Sequence, residues 1–317
     1  MMISLIIPVY NLEGYLAQCL NSVLACGDPG LEIICVNDGS TDASGRILEE
    51  FQKRDKRIRV IHQENRGVSA ARNAGLEVAG GDLIGFLDGD DVIHPQYISV
   101  LSGMLASGDG DMAVCDYRKI GQEEDVNWET ACTDTVRILD AEASMRNHTV
   151  KCFAWGRLYK RELLKGLAFR ENMALGEDRA FHLDLISSKP DVRVLWTQRQ
   201  LYGYRQRKDS VVAGTGKRQW MGLAQDILNS CKEKLDSPGK AWYLTESFKL
   251  ACSVRAFCRC DPQLGPETER LVSLCLQEMQ KTTGLPVARR IGYRFIGKWP
   301  WIYRVLVWMK EKSAGSG

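Results

Sequence analysis

The sequence predicts an α/β fold, a mainly parallel sheet flanked by helices, with an appended α-helical C-terminal region. Three observations predict it. Between Ile3 and Leu87, short apolar runs alternate with stretches of helical periodicity. Strand after strand ends in turn-forming polar residues. From about Gly216 the β signals stop, and apolar residues recur at helical spacing instead.

The elements follow in order. Ile3–Pro8 is short, β-branched and bounded by proline, as a buried parallel strand is. The stretch from Met1 to Pro8 has neither a basic leader nor a cleavage site, so it reads as that strand and not as a signal peptide. Leu12, Tyr15, Leu16, Cys19, Leu20, Val23 and Leu24 form one apolar stripe of a helix. Leu31–Val36 is a second strand, running into Asn37–Asp42, which is turn chemistry followed by a helix N-cap. Ile47, Leu48 and Phe51 mark that helix. Ile58–Ile61 is a third strand, Val68–Ala79 a third helix and Leu83–Leu87 a fourth strand. Right-handed crossovers are expected between them. Asp111–Tyr117 adds a strand, and the polar run from Gly121 to Thr135 is a loop or hairpin over the sheet. Gly176-Glu177-Asp178 opens a helix with Ala180, Phe181, Leu183, Leu185 and Ile186 on it. Val192–Trp196 and Leu201–Tyr204 read as two short strands. Lys217–Leu235, Ala241–Cys258 and Pro266–Lys281 read as helices. Residues 1–215 are therefore one domain, and 216–317 a helical region.

Composition bounds the class. With 317 residues, 44% of them hydrophobic, the chain can bury a sizeable core; a net charge of +2 says little globally, and no nucleic-acid partner is expected. Its 11 cysteines are odd in number, and no pair has Cys-x-x-Cys spacing. Reduced thiols in a cytoplasmic protein fit this better than a disulfide scaffold or a zinc site.

The chemistry gathers at the end of the fourth strand. Asp88, Asp90 and Asp91 crowd one turn around Gly89. Desolvated carboxylates need a cation, and Mg²⁺ or Mn²⁺ prefers oxygen ligands and leaves positions for substrate phosphates. A plain acidic turn in solvent is the alternative. In parallel sheets, ligands bind beyond the carboxyl ends of the strands. Pro8-Val9-Tyr10-Asn11, Asn37-Asp38-Gly39-Ser40 and Asp88–Asp91 all lie at such ends, which points to a nucleotide or phosphate-ester site. No Gly-x-Gly-x-x-Gly stands in the first turn and no Gly-x-x-x-x-Gly-Lys-Ser/Thr anywhere, which argues against a dinucleotide enzyme and a P-loop NTPase.

Four segments resemble the family 2 glycosyltransferases in order and spacing: Ile7–Asn11, Val36–Asp42, Asn65–Gly75 and Phe86–Asp91. The resemblance implies the GT-A fold, a single Rossmann-like α/β domain, and a nucleotide-sugar donor, most often UDP-linked. It assigns Pro8, Val9, Tyr10 and Asp38 to the nucleoside, with Asp38 on the base. It places Arg72 near the nucleotide and diphosphate. Asp88, Gly89 and Asp90 take the Asp-x-Asp position, with Asp90 holding the metal and Asp88 contacting ribose or metal. Gly176-Glu177-Asp178 matches the acceptor-side motif, which implies that Asp178 is the catalytic base in an inverting single displacement. Helix capping is the plainer reading of the same acids. Some relatives carry a histidine near Arg205-Gln206-Arg207-Lys208 as a metal ligand; this chain has none there, which leaves the third metal ligand open, and His62, His94, His148 and His182 show no ligand spacing.

Several residues read two ways. Trp155 stacks on a sugar or belongs to the core. Arg205 and Arg207 donate to the diphosphate or form a solvated basic loop. Asp38 reads the base or caps a turn. Gly67 and Gly75 read as helix-boundary glycines. The tail Leu285–Lys312 mixes arginines and lysines with Trp299, Trp301 and Trp308, which suits an anionic membrane interface or a helix packed on the core. Its apolar run is too short to span a bilayer. The expected function is thus metal-dependent transfer of a sugar to a hydroxyl acceptor, a glycan or lipid-linked saccharide, in cell-surface polysaccharide synthesis at the inner membrane face. The alternatives are a nucleotidyltransferase, which releases pyrophosphate, and a non-catalytic sugar-nucleotide binding module.

Overall fold

The computed structural model describes residues 1–122, 128, 135–140, 144, 153–171, 173, 176–207, 222, 225 and 264–281. The expected helix at 241–258 and the basic tail at 285–312 lie outside these residues, as do the expected helix at 217–235, apart from Gly222 and Gln225, and most of the polar run from Gly121 to Thr135. The chain divides into two units, Met1–Met173 with Glu177–Ser210, and Ala174–Gly176 with Val211–Gly317. In the second, the described element is a helix, Leu264–Lys281, with Leu271, Val272 and Cys275 buried at helical spacing. Among the described residues, no helix is long and apolar enough to cross a membrane.

The first unit is built on a nine-stranded sheet. Its strands are β1 (Ile3–Val9), β2 (Leu31–Asp38), β3 (Ile58–Gln63), β4 (Leu83–Phe86), β5 (Val92–Ile93), β6 (Met112–Ile120), β7 (Val136–Asp140), β8 (Arg157–Lys160) and β9 (Arg193–Arg205). The order is β3-β2-β1-β4-β8-β6-β9-β5, with β7 also on β9. Strands β3, β2, β1 and β4 are mutually parallel. Strand β8 enters antiparallel to both β4 and β6, so β6, and β9 parallel to it, again run with β1. The sheet is mainly parallel, as expected, and the ends of β1, β2, β4, β6 and β9 share one edge. The two short strands expected at 192–204 are one strand. Its register against β6 slips around Asp116, so the polar interruption at Gln198 is a bulge and not a break.

The helices α1 (Leu16–Leu24), α2 (Ser44–Arg54), α3 (Val68–Val78), α4 (Tyr97–Ala106) and α5 (Glu177–Ser188) cover the sheet. Period-2 alternation splits each central strand between two cores. Leu5, Ile7, Ile33 and Cys35 pack with Leu16, Leu20, Leu48 and Leu101, whereas Ile6, Ile34 and Val36 pack with Ala71, Phe86, Tyr159 and Phe181. Trp155 belongs to the first core and is no sugar platform. It is 5% exposed and stacks between Phe153 and Tyr202, ring centroids 4.2 and 4.4 Å away.

Gly67 does bound a helix, preceding α3, but Gly75 lies inside α3. A Cβ there would run into the Ile6 side chain of β1. Gly75→Ala is therefore expected to destabilise the protein by about 1–3 kcal/mol, seen as a lower denaturation midpoint. An unchanged midpoint would contradict this close helix–sheet contact.

Candidate active site

The shared strand edge gathers the polar clusters. After β1, Asn11 bends the chain at φ 51°, and its side-chain oxygen accepts from the Thr41 N–H at 2.8 Å. Ser44 Oγ accepts from the Leu12 N–H at 2.8 Å and Asp42 from the Glu13 N–H at 3.0 Å. The turns after β1 and β2 are thereby clasped together. Pro8 and Val9 are buried in β1, and Tyr10 stands exposed at 49% at its mouth. Asp38 is buried at the end of β2. It accepts from Gln63 Nε2 at 2.7 Å, the Arg66 N–H at 2.9 Å and the Gly67 N–H at 2.8 Å, which fixes the chain entering α3.

Gly89 brings the acidic turn close to the Pro8 turn. A Cβ there would stand 2.9 Å from Leu12 and 3.1 Å from the Pro8 carbonyl. Of the three acids in that turn, Asp91 is structural. It is buried, accepting from the Tyr202 hydroxyl at 2.6 Å and the Arg205 N–H at 2.7 Å. Burial, then the charges of Asp90 and Asp88, push its carboxyl well above the usual range. Asp90 and Asp88 remain partly open. Burial and the neighbouring Asp88 push Asp90 up to about 6, against the pull of Arg207.

Arg72 joins the donor-side and acceptor-side motifs. It sits on α3, 2% exposed. One terminal nitrogen donates to Asp88 at 2.9 Å; the other donates to Asp178 at 2.7 Å and Glu177 at 3.1 Å. Burial alone pulls the guanidinium down most strongly, but Asp178, Asp88 and Glu177 together hold it above its usual range. The resemblance put Arg72 near the diphosphate; here both its terminal nitrogens are engaged by carboxylates. The adjacent Asn73 clamps the chain leading to α5, donating to the Phe169 carbonyl and accepting from its N–H, both at 2.8 Å.

Asp178 lies in the first turn of α5, its second oxygen accepting from the Ala154 N–H at 2.9 Å. Burial pushes its carboxyl up to about 7; Arg72 opposes this, while Glu177 and Asp88 add to it. A carboxyl held near neutrality can take a proton at physiological pH. One turn on, His182 Nδ1 donates to the Asp178 carbonyl at 2.8 Å, and its Nε2 accepts from Tyr159 Oη at 2.8 Å and Arg157 at 3.0 Å. Burial and Arg157 push the imidazole well below its usual value, so it is neutral, which this bonding requires. No spacing rule could have found His182; its role depends on the fold that brings β8 under α5.

The two arginines after β9 divide their roles. Arg205 is 2% exposed and spends its guanidinium on Asp90, Gly121 and Gln122 carbonyls and on Gln18. Arg207 pairs with the Asp90 carboxylate at 2.9 Å. Neither is the solvated loop that composition allowed.

Divalent-cation chemistry suits part of this set. Asp88 and Asp90 are hard oxygen donors, and burial with the charge of Asp88 makes Asp90 costly to ionise, a cost that a cation would offset. Among the described residues, no group of three or more His, Cys, Asp or Glu could hold a metal ion. The pair fits a cation whose remaining positions go to substrate phosphates and water.

The comparisons bear on the whole unit. The profile described as Glycosyl transferase family 2 matches residues 4–167. The chain is 36% identical over 239 residues to the glycosyltransferase GlyA of Streptococcus pneumoniae, covering 72% of this chain and 34% of that protein. It is 34% identical over 218 residues to the uncharacterized glycosyltransferase EpsJ of Bacillus subtilis, covering 66% and 62%. The chain thus spans about a third of the length of GlyA and under two thirds of that of EpsJ. Among solved structures, S. aureus TarS in complex with UDP-GlcNAc superposes with a TM-score of 0.68 at 21% identity, covering 88% of this chain and 82% of that one. The mannosyltransferase PcManGT of Pyrobaculum calidifontis, in complex with GDP-Man and Mn²⁺, gives 0.56 at 17% identity, covering 98% and 84%. These likenesses show the GT-A fold. With the matched profile spanning half the sequence and its motifs lining one strand edge, the chain belongs to glycosyl transferase family 2.

Proposed function

We propose that residues 1–215 form the catalytic domain of an inverting glycosyltransferase that moves a sugar from a nucleotide-sugar, UDP-linked, to a hydroxyl of a glycan or lipid-linked saccharide in cell-surface polysaccharide synthesis. The observation that carries this reading is the Arg72 bridge, which ties Asp88 of the donor-side turn to Asp178 of the acceptor-side helix through one guanidinium. The UDP-GlcNAc bound by TarS and the GDP-Man bound by PcManGT support a nucleotide-sugar.

Each residue then has a task. The mouth beside Pro8, Val9 and Tyr10, with Asp38 behind it, receives the nucleoside. Asp178 takes the proton from the acceptor hydroxyl as its oxygen bonds to the anomeric carbon, and the bond from that carbon to the diphosphate oxygen breaks on the opposite side. Inversion follows, and no covalent nucleophile is needed. Asp90 and Asp88 would hold Mn²⁺ or Mg²⁺, which supplies counter-charge to the leaving diphosphate. Arg72 and the Ala154 N–H hold the Asp178 carboxylate in place, on the same guanidinium as Asp88.

A panel of nucleotide-sugars with Mn²⁺, scored for released nucleoside diphosphate, tests the proposal. Release of UDP from one or a few UDP-sugars supports it. Release of pyrophosphate would instead mark a nucleotidyltransferase, and UDP binding without turnover a non-catalytic module.

A further inference from the structure

We infer that Phe153 is the platform on which the acceptor sugar stacks, so that the acceptor is a closed pyranose ring and not an open-chain polyol. The inference rests on the reading of Asp178 as the base and deepens it by naming the chemistry of the acceptor.

The geometry is a graded stack of rings. Tyr202 is fully buried, and Trp155, 5% exposed, lies on it with ring centroids 4.4 Å apart. Phe153 lies on the other face of Trp155, 4.2 Å away and within 9° of parallel. The Tyr117 ring braces it edge-on at 6.0 Å. Phe153 is the outermost member of the stack and is only half-buried. Among the described residues, no ring meets it from the outer side. Its place in the chain puts it beside the base. The next N–H, that of Ala154, donates to the Asp178 carboxylate at 2.9 Å. Backbone dimensions alone then keep the Phe153 Cα within about 5.5 Å of that oxygen. Ala154 turns to the second core, and Phe153 turns with Trp155 to the first, so platform and carboxylate flank one stretch of backbone. Gluco- and galacto-configured pyranoses have a face lined by axial C–H bonds. That face is apolar and packs on a flat ring, while the equatorial hydroxyls project from the rim, where Asp178 can reach one. An open-chain polyol carries hydroxyls on every side and has no such face. Because Trp155 and Tyr117 already hold the Phe153 ring, little ordering is lost when a sugar arrives.

Saturation-transfer nuclear magnetic resonance on the UDP-loaded protein is the test. The ring probes are methyl β-glucopyranoside, methyl β-galactopyranoside and methyl N-acetyl-β-glucosaminide; the open-chain probes are glucitol and ribitol. At least one ring probe should receive saturation, and the polyols should not. Phe153→Leu should weaken the bound ring probe about tenfold, whereas Phe153→Tyr, which keeps the flat face, should stay close to the unaltered protein. UDP binding by the same samples reports an intact fold, and Phe153→Met gives the same reading should the Leu variant not fold. Failure of every ring probe to bind, polyols that bind as well, or an affinity untouched by the loss of the aromatic ring would each overturn the inference. The reading of Asp178 would survive any of these, provided that a nucleotide-sugar still releases UDP. Absence of UDP release from every nucleotide-sugar would remove that reading and this inference with it.

Discussion

Asp178→Asn is expected to lower kcat by about 10²–10⁴-fold while leaving the Kd for UDP nearly unchanged. The reason lies in what each oxygen of Asp178 does. One accepts from Arg72 at 2.7 Å and the other from the Ala154 N–H at 2.9 Å. An amide keeps the shape but cannot accept a proton. Its NH₂ must also face either Arg72 or the Ala154 N–H, a donor against a donor, at a cost of about 1–3 kcal/mol. Turnover should therefore be compared well below the variant's unfolding temperature, with UDP binding measured by calorimetry on the same sample. Full turnover in the variant would remove Asp178 as the base.

The largest loss of stability should come from Arg72→Met. This change strips the cation from Asp88, Glu177 and Asp178 together, whose side chains are 27%, 18% and 14% exposed. Breaking a buried ion pair from one side costs about 3–5 kcal/mol. The sign of the pH dependence follows from the carboxylates. Ionised, they repel one another without Arg72; protonated, they do not. The penalty should be largest above neutrality and shrink as the pH falls through the carboxyl range. Arg72→Lys keeps one charge but not the fork that serves both sides, so it should fall between. Denaturant titrations at two pH values read all of this directly. A variant as stable as the unaltered protein would mean that the hub holds nothing together.

Much of the first unit was legible in the chain itself. Buried parallel strands are apolar throughout, so β1 to β4 stand out, and the amphipathic stripes of α1 to α3 lie between them. The antiparallel intruder β8 was not legible, because four residues on either side of a sheet centre carry no sign of direction. Helix α4 carries the same signal, with Tyr97, Ile98, Leu101 and Leu105 at helical spacing and all buried. At the site, clustered acids announced themselves because desolvated like charges demand a partner. The partner itself was hidden. The carboxylates on Arg72 come from 16, 105 and 106 positions away, a distance that only the fold can close. Arginines such as Arg205 and Arg207 look alike in sequence, and differ only in whether carbonyls or a carboxylate meet them at the end of β9.

The central claim is that the carboxyl of Asp178, lifted toward neutrality by burial against the hold of Arg72, removes the acceptor's proton. The pH dependence of kcat at saturating donor, followed from about pH 5 to pH 9, tests it most directly. Only the ionised carboxylate can act as the base, so turnover should rise with pH through a single step close to neutrality and level off above it. A rate that stays flat across that range, or that falls as the pH is raised through neutrality, would contradict the account.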